Sequence, residues 1–302
     1  IDLDGDGFSS NCDGDCDDSN PFVHPYGIEL VGDGIDQNCD GEDADRMISS
    51  SVFVGCSIVP TGKLSCYSDN PEHNIEDVPE GVFTYVQTGD RYACALNEEG
   101  EISCWGNNEG NALENIPSGS FNQIALGAFN GCALDDNGEI ECWGGDWSSI
   151  KQNIPNGSFL QLFMHSFGAC ALDAQREITC WGDMHIPERF YSGSSYAKLG
   201  LGYSQICALD LHGMVDCFWN NGEEYVLPLG TFEDVFTGEN QTCVLDADGL
   251  PTCFGPDHCY VEDAPEISFS TLSVKDCSTC GLDENNQVVC WGVNELLGQE
   301  DV

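Results

Sequence analysis

Carboxylates at alternate positions near the start of the chain could hold a hard metal ion. Three aspartates and a following glycine have the spacing of positions 1, 3, 5 and 6 of an oxygen-ligand calcium loop. These residues are Asp2, Asp4, Asp6 and Gly7. Phe8 would offer its carbonyl oxygen at position 7, and Asp13 falls at position 12. Because calcium prefers hard oxygen ligands, the run predicts a calcium site. Aspartate at position 12 favours a weak site that extracellular calcium would fill.

Two further acidic clusters follow in residues 1–46, the segment called here the leader. The second cluster is Asp13, Asp15, Asp17 and Asp18, and the third is Asp33, Asp36, Asn38, Asp40, Asp43 and Asp45. From Asp36 to Gly41 the third cluster repeats the 1, 3, 5 and 6 spacing. The leader has few large apolar residues, so we expect metal, disulfide and docking to order it. The alternative is a disordered acidic tail that only keeps the protein solvated.

The second and third clusters carry two recognisable signatures. They read Asp-Cys-Asp-Asp-Ser-Asn-Pro from Asp15 and Asp-Gly-Ile-Asp-Gln-Asn-Cys-Asp-Gly from Asp33. In this the leader resembles a short bacterial metal-binding repeat of the MopE type and, more loosely, thrombospondin type 3 repeats. Members of that family have been described as copper-binding, but all-oxygen ligands favour calcium. The resemblance implies a disulfide between Cys16 and Cys39. Cys12 is then left over, which suggests an intermolecular bond or a reactive thiol.

Seven cysteine pairs run through the rest of the chain, and the two members of each pair are ten positions apart. Their first members recur every 36 to 38 residues, which indicates a repeat architecture. The pairs are Cys56/Cys66, Cys94/Cys104, Cys132/Cys142, Cys170/Cys180, Cys207/Cys217, Cys243/Cys253 and Cys280/Cys290. Cys259 and Cys277 fall in the sixth and seventh repeats, and we expect them to pair with each other.

The ten-residue offset fits a disulfide across an antiparallel hairpin. If Cys94 faces Cys104, a three-residue loop joins the strands and ends at Gly100. The last residue of such a loop is left-handed, which favours glycine or asparagine. That position holds Gly62, Gly100, Gly138, Gly213, Gly249 and Asn286 in six repeats, and Arg176 in the fourth. Zinc sites usually have closer cysteines and recruit histidine, so we predict disulfides, each contributing about 2–3 kcal/mol.

Seven short multi-stranded units in tandem predict an all-β propeller over residues 47–302. Residues 1–46 are then a separate, calcium-binding domain. The repeats carry Cys-Ala-Leu and Cys-Trp-Gly signatures, as at Cys94 and Cys104, and the last one continues Trp-Gly-Val-Asn-Glu-Leu-Leu-Gly-Gln from Trp291. These residues resemble the regulator of chromosome condensation family, in its secreted bacterial branch. The resemblance implies seven blades and carries no function with it. A fourth strand per blade is too weakly marked to place.

Composition narrows the classes of partner and compartment. The net charge is −45, with 53 Asp and Glu against 8 Lys and Arg. Such a surface repels nucleic acid and anionic lipid and attracts cations. Nineteen cysteines in a regular pattern predict an oxidising compartment, and we expect a secreted or cell-surface protein without a membrane span. Because the chain opens at Ile1, we expect a processed product, with a trimmed chain as the alternative.

Two functions fit these observations, and neither is enzymatic, because no catalytic constellation is evident. The first is a self-assembling filament or surface subunit, in which calcium orders the leader on a neighbouring copy of the propeller, head to tail. The second is a propeller that binds a protein or glycan, with the leader as a calcium-rigidified linker.

Overall fold

A computed structural model describes most of the chain. The described residues are 2–10, 14–41, 43–44, 47–51, 53–68, 70–145, 149–183, 195–202, 205–219, 227–255, 264–275, 277–283, 285 and 287–292. The chain forms two compact units, residues 1–196 and residues 197–302. The first unit contains the leader, and the first strand begins at Met47, next to the predicted domain boundary.

Seven antiparallel sheets, here called blades 1 to 7, follow one another along the chain, and the structure describes three strands in each. Blade 1 comprises β1 (Met47–Ser50), β2 (Val54–Ile58) and β3 (Leu64–Ser68), and blade 2 comprises β4 (Phe83–Thr88), β5 (Tyr92–Asn97) and β6 (Ile102–Gly106). Blade 3 comprises β7 (Phe121–Leu126), β8 (Asn130–Asp135) and β9 (Ile140–Gly144), and blade 4 comprises β10 (Phe159–His165), β11 (Gly168–Asp173) and β12 (Ile178–Gly182). Short 3₁₀ turns lie at Pro71–His73, Glu109–Asn111 and Ile150–Gln152.

The remaining blades have the same strand order. Blade 5 comprises β13 (Tyr196–Leu201), β14 (Gln205–Asp210) and β15 (Val215–Trp219). Blade 6 comprises β16 (Asp234–Thr237), β17 (Thr242–Leu245) and β18 (Pro251–Phe254). Blade 7 comprises β19 (Phe269–Lys275), β20 (Ser278–Asp283) and β21 (Val288–Gly292).

The predicted hairpin is present in every blade. Cys94 lies directly opposite Cys104, and the corresponding cysteines are opposite each other in the other six blades. The amide of Asn97 donates to the Glu101 carbonyl at 3.2 Å, which closes the three-residue loop.

All seven predicted intrablade disulfides form, with Cα–Cα distances of 4.0–4.1 Å. Each bond joins the middle strand of its blade to the third strand, so it staples the hairpin at the register that the loop also specifies. In order of blades, the bonds are Cys56–Cys66, Cys94–Cys104, Cys132–Cys142, Cys170–Cys180, Cys207–Cys217, Cys243–Cys253 and Cys280–Cys290.

The last loop residue is left-handed as predicted, with φ between 61° and 76° at Gly62, Gly100, Gly138, Arg176, Gly213 and Gly249. Asn286 lies outside the described residues. Arg176 therefore departs from the pattern in residue type but not in conformation, at a cost that glycine would avoid.

The same loop residue also joins each blade to the next. The first strand of each blade lies at one edge of its sheet and is called here the outer strand. The carbonyl of the loop residue accepts a hydrogen bond from the start of the next blade's outer strand, as from Phe121 to Gly100 at 2.9 Å and from Phe159 to Gly138 at 2.9 Å. The bond recurs from Phe83, Tyr196 and Phe269, each the first residue of its strand, and from Phe232, two residues before β16 begins. A Cβ atom on Gly138 would lie 2.6 Å from the Phe159 backbone nitrogen, so glycine also permits this close approach.

A bulge follows this junction in several outer strands. The register shifts between Phe83 and Tyr85, and again at the matching places in blades 3, 4 and 7. The skipped residues in blades 2, 3 and 4 are Thr84, Asn122 and Leu160. A bulge leaves its extra residue out of the ladder and re-aims it.

The central strands supply the hydrophobic core. Cys94, Ala95 and Leu96 are at most 1% exposed, and small alanines let neighbouring sheets pack closely. Tryptophans of the Cys-Trp-Gly signature pack between blades, and the Trp105 indole donates to the Ile75 carbonyl at 2.9 Å. Burial of this kind is worth about 25 cal/mol per Å² of apolar surface.

We expect Gly138→Ala to destabilise the first unit by about 2 kcal/mol or more, because it combines a strained φ with a backbone collision. Urea unfolding followed by fluorescence would measure the change. The control is Gly32→Ala, where φ is +70° but no atom lies within 4 Å of the added Cβ. Equal effects in both variants would show that the junction contributes nothing beyond backbone strain.

Candidate metal centre

Two loops of the leader close in the same way, around their first aspartate. The Gly7 amide donates to Asp2 Oδ2 at 3.2 Å, and the Gly41 amide donates to Asp36 Oδ2 at 2.8 Å. Both glycines are left-handed, with φ of 95° and 99°. The repeated spacing of the sequence therefore folds twice into one kind of turn.

Three carboxylates, two of them buried and one partly buried, converge beside the first loop. Ligand atoms of Asp4, Asp6 and Asp15 all lie within 4.8 Å of one another, and Asp6 and Asp15 are 0% and 4% exposed. In each, one oxygen accepts a backbone amide two residues on, at 2.7–3.2 Å. The other oxygen, Oδ2, is buried with no hydrogen-bond partner among the described residues. We call these three residues the inner cluster.

The electrostatics of the inner cluster are unfavourable without a cation. The pKa of Asp6 is raised to about 6, mainly by burial and in smaller part by the nearby Asp4 charge, while the Phe8 amide and Arg176 oppose the rise. Burial also raises the pKa values of Asp4 and Asp15. Like charges this close and this buried repel strongly, and unpartnered buried oxygens are rare. An anionic, all-oxygen set of this kind fits a hard cation.

A second triplet shares Asp4 with the inner cluster. Ligand atoms of Asp2, Asp4 and Asp18 lie within 4.8 Å of one another, nearer the surface. The oxygens of Asp18 accept from the Leu3 amide at 3.0 Å and the Ser10 hydroxyl at 3.3 Å. Since hydrogen bonds already engage the oxygens of both outer aspartates, this triplet has less need of a cation than the inner cluster.

The structure regroups the residues that the sequence analysis proposed as ligands. Asp15 and Asp18 join the first loop, whereas the sequence placed them in a separate cluster. Asp17 lies outside both triplets and accepts from the Ser19 hydroxyl at 2.6 Å. Asp13, Asp45 and Cys12 lie outside the described residues. The Phe8 amide donates to Asp6, and the Phe8 ring packs on Arg176 of blade 4, a contact that the spacing of the aspartates does not predict.

The third cluster satisfies its carboxylates internally. Asp33 accepts from Ile35 and Gln37, Asp43 accepts from Gly34, and Asn38 donates to Asp40 at 3.1 Å. Among the described residues it brings no three carboxylates together, so its metal site stays a prediction.

A disulfide joins Cys16 to Cys39, the pair implied by the resemblance, with a Cα–Cα distance of 5.6 Å. Cys277 is disulfide-bonded, and its expected partner Cys259 lies outside the described residues.

The leader lies along blades 2, 3 and 4 of its own chain. The Val31 amide donates to the carbonyl of the bulged Thr84 at 2.7 Å. Phe22 packs against the core between blades 3 and 4, and Leu30 against the core between blades 2 and 3. The Gln161 side chain donates to the Tyr26 carbonyl. The leader is therefore held at several points along its described residues.

Arg176 anchors the inner-cluster loop on blade 4. Its guanidinium carbon lies 4.4 Å from the centre of the Phe8 ring, and that ring stacks on His24 at 5.3 Å. Arg176 is 2% exposed, its three guanidinium nitrogens have no hydrogen-bond partner among the described residues, and burial lowers its pKa to about 10. Its charge favours the ionised form of Asp6. The sequence held one signal of this role, since Arg176 alone departs from glycine or asparagine at its loop position.

Comparison with known families agrees with both parts of the chain. Residues 15–45 match the family model Cu-binding_MopE, which describes a candidate metal-binding motif, and residues 83–111 match the regulator of chromosome condensation (RCC1) repeat. Both resemblances are confirmed at these residues. Asp4 and Asp6 precede the matched motif, so the inner cluster combines residues from outside and inside it. No match was found among curated proteins.

Solved structures share the fold. The CRINKLY WD40 ectodomain of the Arabidopsis thaliana receptor kinase ACR4 is 23% identical, with a TM-score of 0.67 over 82% of this chain and 94% of that one. The ectodomain of Physcomitrella patens receptor kinase CR4 is 22% identical, with a TM-score of 0.66 over 82% and 73%. Prp20p from Saccharomyces cerevisiae is 18% identical, with a TM-score of 0.58 over 70% and 72%.

These likenesses concern the fold alone. The predicted all-β propeller of seven disulfide-stapled blades is confirmed, together with an acidic N-terminal segment. In the part of the chain that the structure describes, no helix is long and apolar enough to cross a membrane.

We expect Arg176→Gly to loosen the leader while sparing the blade. Glycine suits the left-handed loop, but loss of the guanidinium removes a cation–π contact worth about 1–2 kcal/mol when desolvated. Amide hydrogen exchange should therefore speed up by about tenfold around Phe8 and stay unchanged in β11 and β12. The control is Gln175→Gly, which adds a glycine to the same loop at an exposed position. Matching exchange in the two variants would contradict an anchoring role for Arg176.

Proposed function

We propose that the protein is an extracellular, non-catalytic binding module: a disulfide-stapled propeller whose leader is held on blades 2 to 4 by bound calcium. The observation that carries the proposal is the inner cluster, where three buried, unpartnered carboxylate oxygens converge. The family match in residues 15–45 supports a metal, and the oxygen ligands favour calcium over copper.

Calcium would supply the positive charge that this site lacks. Asp4, Asp6 and Asp15 would each offer Oδ2, while their other oxygens stay bonded to backbone amides that fix the loop. The loop in turn presents Phe8 to Arg176, so a bound cation would stabilise the docked leader. Extracellular calcium is abundant enough to fill a weak site, and the eight described disulfides of the leader and blades favour an oxidising compartment.

The binding role is supported by the architecture rather than by a recognised ligand site. A stapled propeller is a rigid scaffold, and its loops can carry recognition surfaces without altering the sheets. The strong negative charge favours partners with positive charge, and a protein or glycan ligand remains our proposal for the propeller itself.

Calcium titration by calorimetry, after chelation and desalting, tests the metal assignment. We expect Asp6→Asn and Asp15→Asn each to weaken one calcium site by about tenfold or more, because each removes a charged ligand. Asp17→Asn is the matched control, since it removes the same charge from the leader at a residue outside both triplets. If all three variants bind calcium like the unmodified protein, the inner cluster is not the site.

The self-assembling filament expected as the first function would place the leader on a neighbouring copy. Within this chain the leader contacts its own blades through Phe8, Phe22 and Val31. A filament would have to exchange these contacts between copies, or to use the third cluster or Cys12 instead. We therefore rank the single-chain module above the filament.

Sedimentation velocity discriminates between the two functions. We expect one species of monomer mass at millimolar calcium, unchanged in mass after chelation, because the leader is already packed within the chain. The reducing agent should be omitted, and Cys12→Ser should be run in parallel to remove adventitious cross-links. Calcium-dependent polymers that persist in the Cys12→Ser protein would favour the filament.

A further inference from the structure

A cavity of about 400 Å³ lies between the leader and blades 3 and 4. The leader contributes the stretch from Ser19 to Gln37, although not every residue in it, and the blades contribute outer-strand and hairpin residues. Asn122 and Leu160, the bulged residues of β7 and β10, both line it. The cavity therefore exists because the bulges turn these residues towards the leader.

Half of the residues that line the cavity are apolar. Phe22, Ile28 and Leu30 come from the leader, and Leu134 and Leu160 come from the blades. Small-molecule sites have this character, with a few polar groups that orient the ligand. A wall of this kind does not suit a bare metal ion, which needs converging oxygens.

One buried polar group on the wall has unmet bonding capacity. Gln161 is 1% exposed, and its amide nitrogen donates to the Tyr26 carbonyl. Its carbonyl oxygen Oε1 is buried and has no hydrogen-bond partner among the described residues. Because buried acceptors are normally paired, Gln161 calls for a ligand that donates a hydrogen bond.

The charge on the wall is negative. Asp33 and Asp136 both line the cavity, and no Lys or Arg is among the described lining residues. Asp136 is exposed in the blade 3 hairpin loop and makes no hydrogen bond or ion pair with the described residues. An anionic ligand would be repelled by this wall, whereas a cationic ligand would be attracted to it.

We propose that this cavity binds a small organic amine, a primary ammonium group on an apolar body. The apolar body would pack against Phe22 and Leu160. The ammonium would donate to Gln161 Oε1 and be attracted by Asp136. A neutral apolar ligand would leave the Gln161 oxygen unpaired, so the amine is the class that satisfies all three features of the wall.

Ligand-observed NMR with four probes tests the proposal on the intact, oxidised protein at physiological ionic strength. Phenethylamine should bind about tenfold more tightly than phenethyl alcohol, because the charged donor makes the stronger bond. Hydrocinnamate, which is anionic, should not bind. Trimethyl(phenethyl)ammonium keeps the charge but has no N–H donor, so it should bind about fivefold more weakly than phenethylamine.

A matched pair of variants separates the site from the general negative charge of the surface. Asp136→Asn should weaken phenethylamine binding by about threefold, which is typical of an exposed charge pair. Glu98→Gln removes a charge at the same hairpin position in blade 2, away from the cavity, and should leave the affinity unchanged.

Three results would overturn the proposal. Equal affinity for phenethylamine and phenethyl alcohol would show that the ammonium is not recognised. Equal weakening by Asp136→Asn and Glu98→Gln would assign the binding to the surface charge. Equal affinity for the primary and the trimethylated probe would remove Gln161 from the site. None of these readouts depends on calcium stoichiometry, so the proposed metal centre and the proposed amine site can fail separately.

Discussion

The hydrogen bond between consecutive blades is the contact on which the described repeats depend. It joins the carbonyl of the third hairpin-loop residue to an amide at or just before the start of the next outer strand, as between Gly100 and Phe121. The same residue is left-handed to close its own loop, and in the blades where it is glycine an added Cβ would lie close to the approaching backbone. Loop closure and blade-to-blade contact thus meet at one position. The core between adjacent sheets packs around the strands that this contact aligns.

Arg176 shows how one departure from that pattern gives the chain a second layer of organisation. Its backbone still makes the junction to Tyr196, so the repeat is intact. Its side chain is buried against Phe8, so the leader docks at the blade where the pattern is broken. The strain of a left-handed arginine and the burial of its charge are both unfavourable alone. They are offset by contacts that only the docked leader provides, which ties the acidic segment to one place among otherwise similar blades.

Local features were predictable from the sequence, and features that depend on distant partners were not. The hairpin at Cys94 and Cys104 could be derived because a loop residue and a disulfide specify one register within ten residues. The pairing of Asp15 with Asp4 and Asp6 could not, because spacing along the chain suggests one ion per short run and the leader folds back on itself. The bulges at Thr84, Asn122 and Leu160 were also missed, since nothing in the composition of these strands marks a skipped residue. Thr84 bonds to the leader, and Asn122 and Leu160 line the cavity beside it, so the role of the bulges depends on the docked leader.

The blade disulfides have a consequence for how the chain acquires its covalent structure. Each links cysteines ten residues apart, so the correct partner is also the one that a short loop brings into contact most often. Oxidation can therefore proceed blade by blade, without waiting for distant segments. A wrong pairing between neighbouring blades, such as Cys66 with Cys94, would span 28 residues, nearly three times the separation within a blade. In most folds, this many cysteines would require slow reshuffling of wrong disulfides by an isomerase. Here the short separations are compatible with rapid, sequential oxidation.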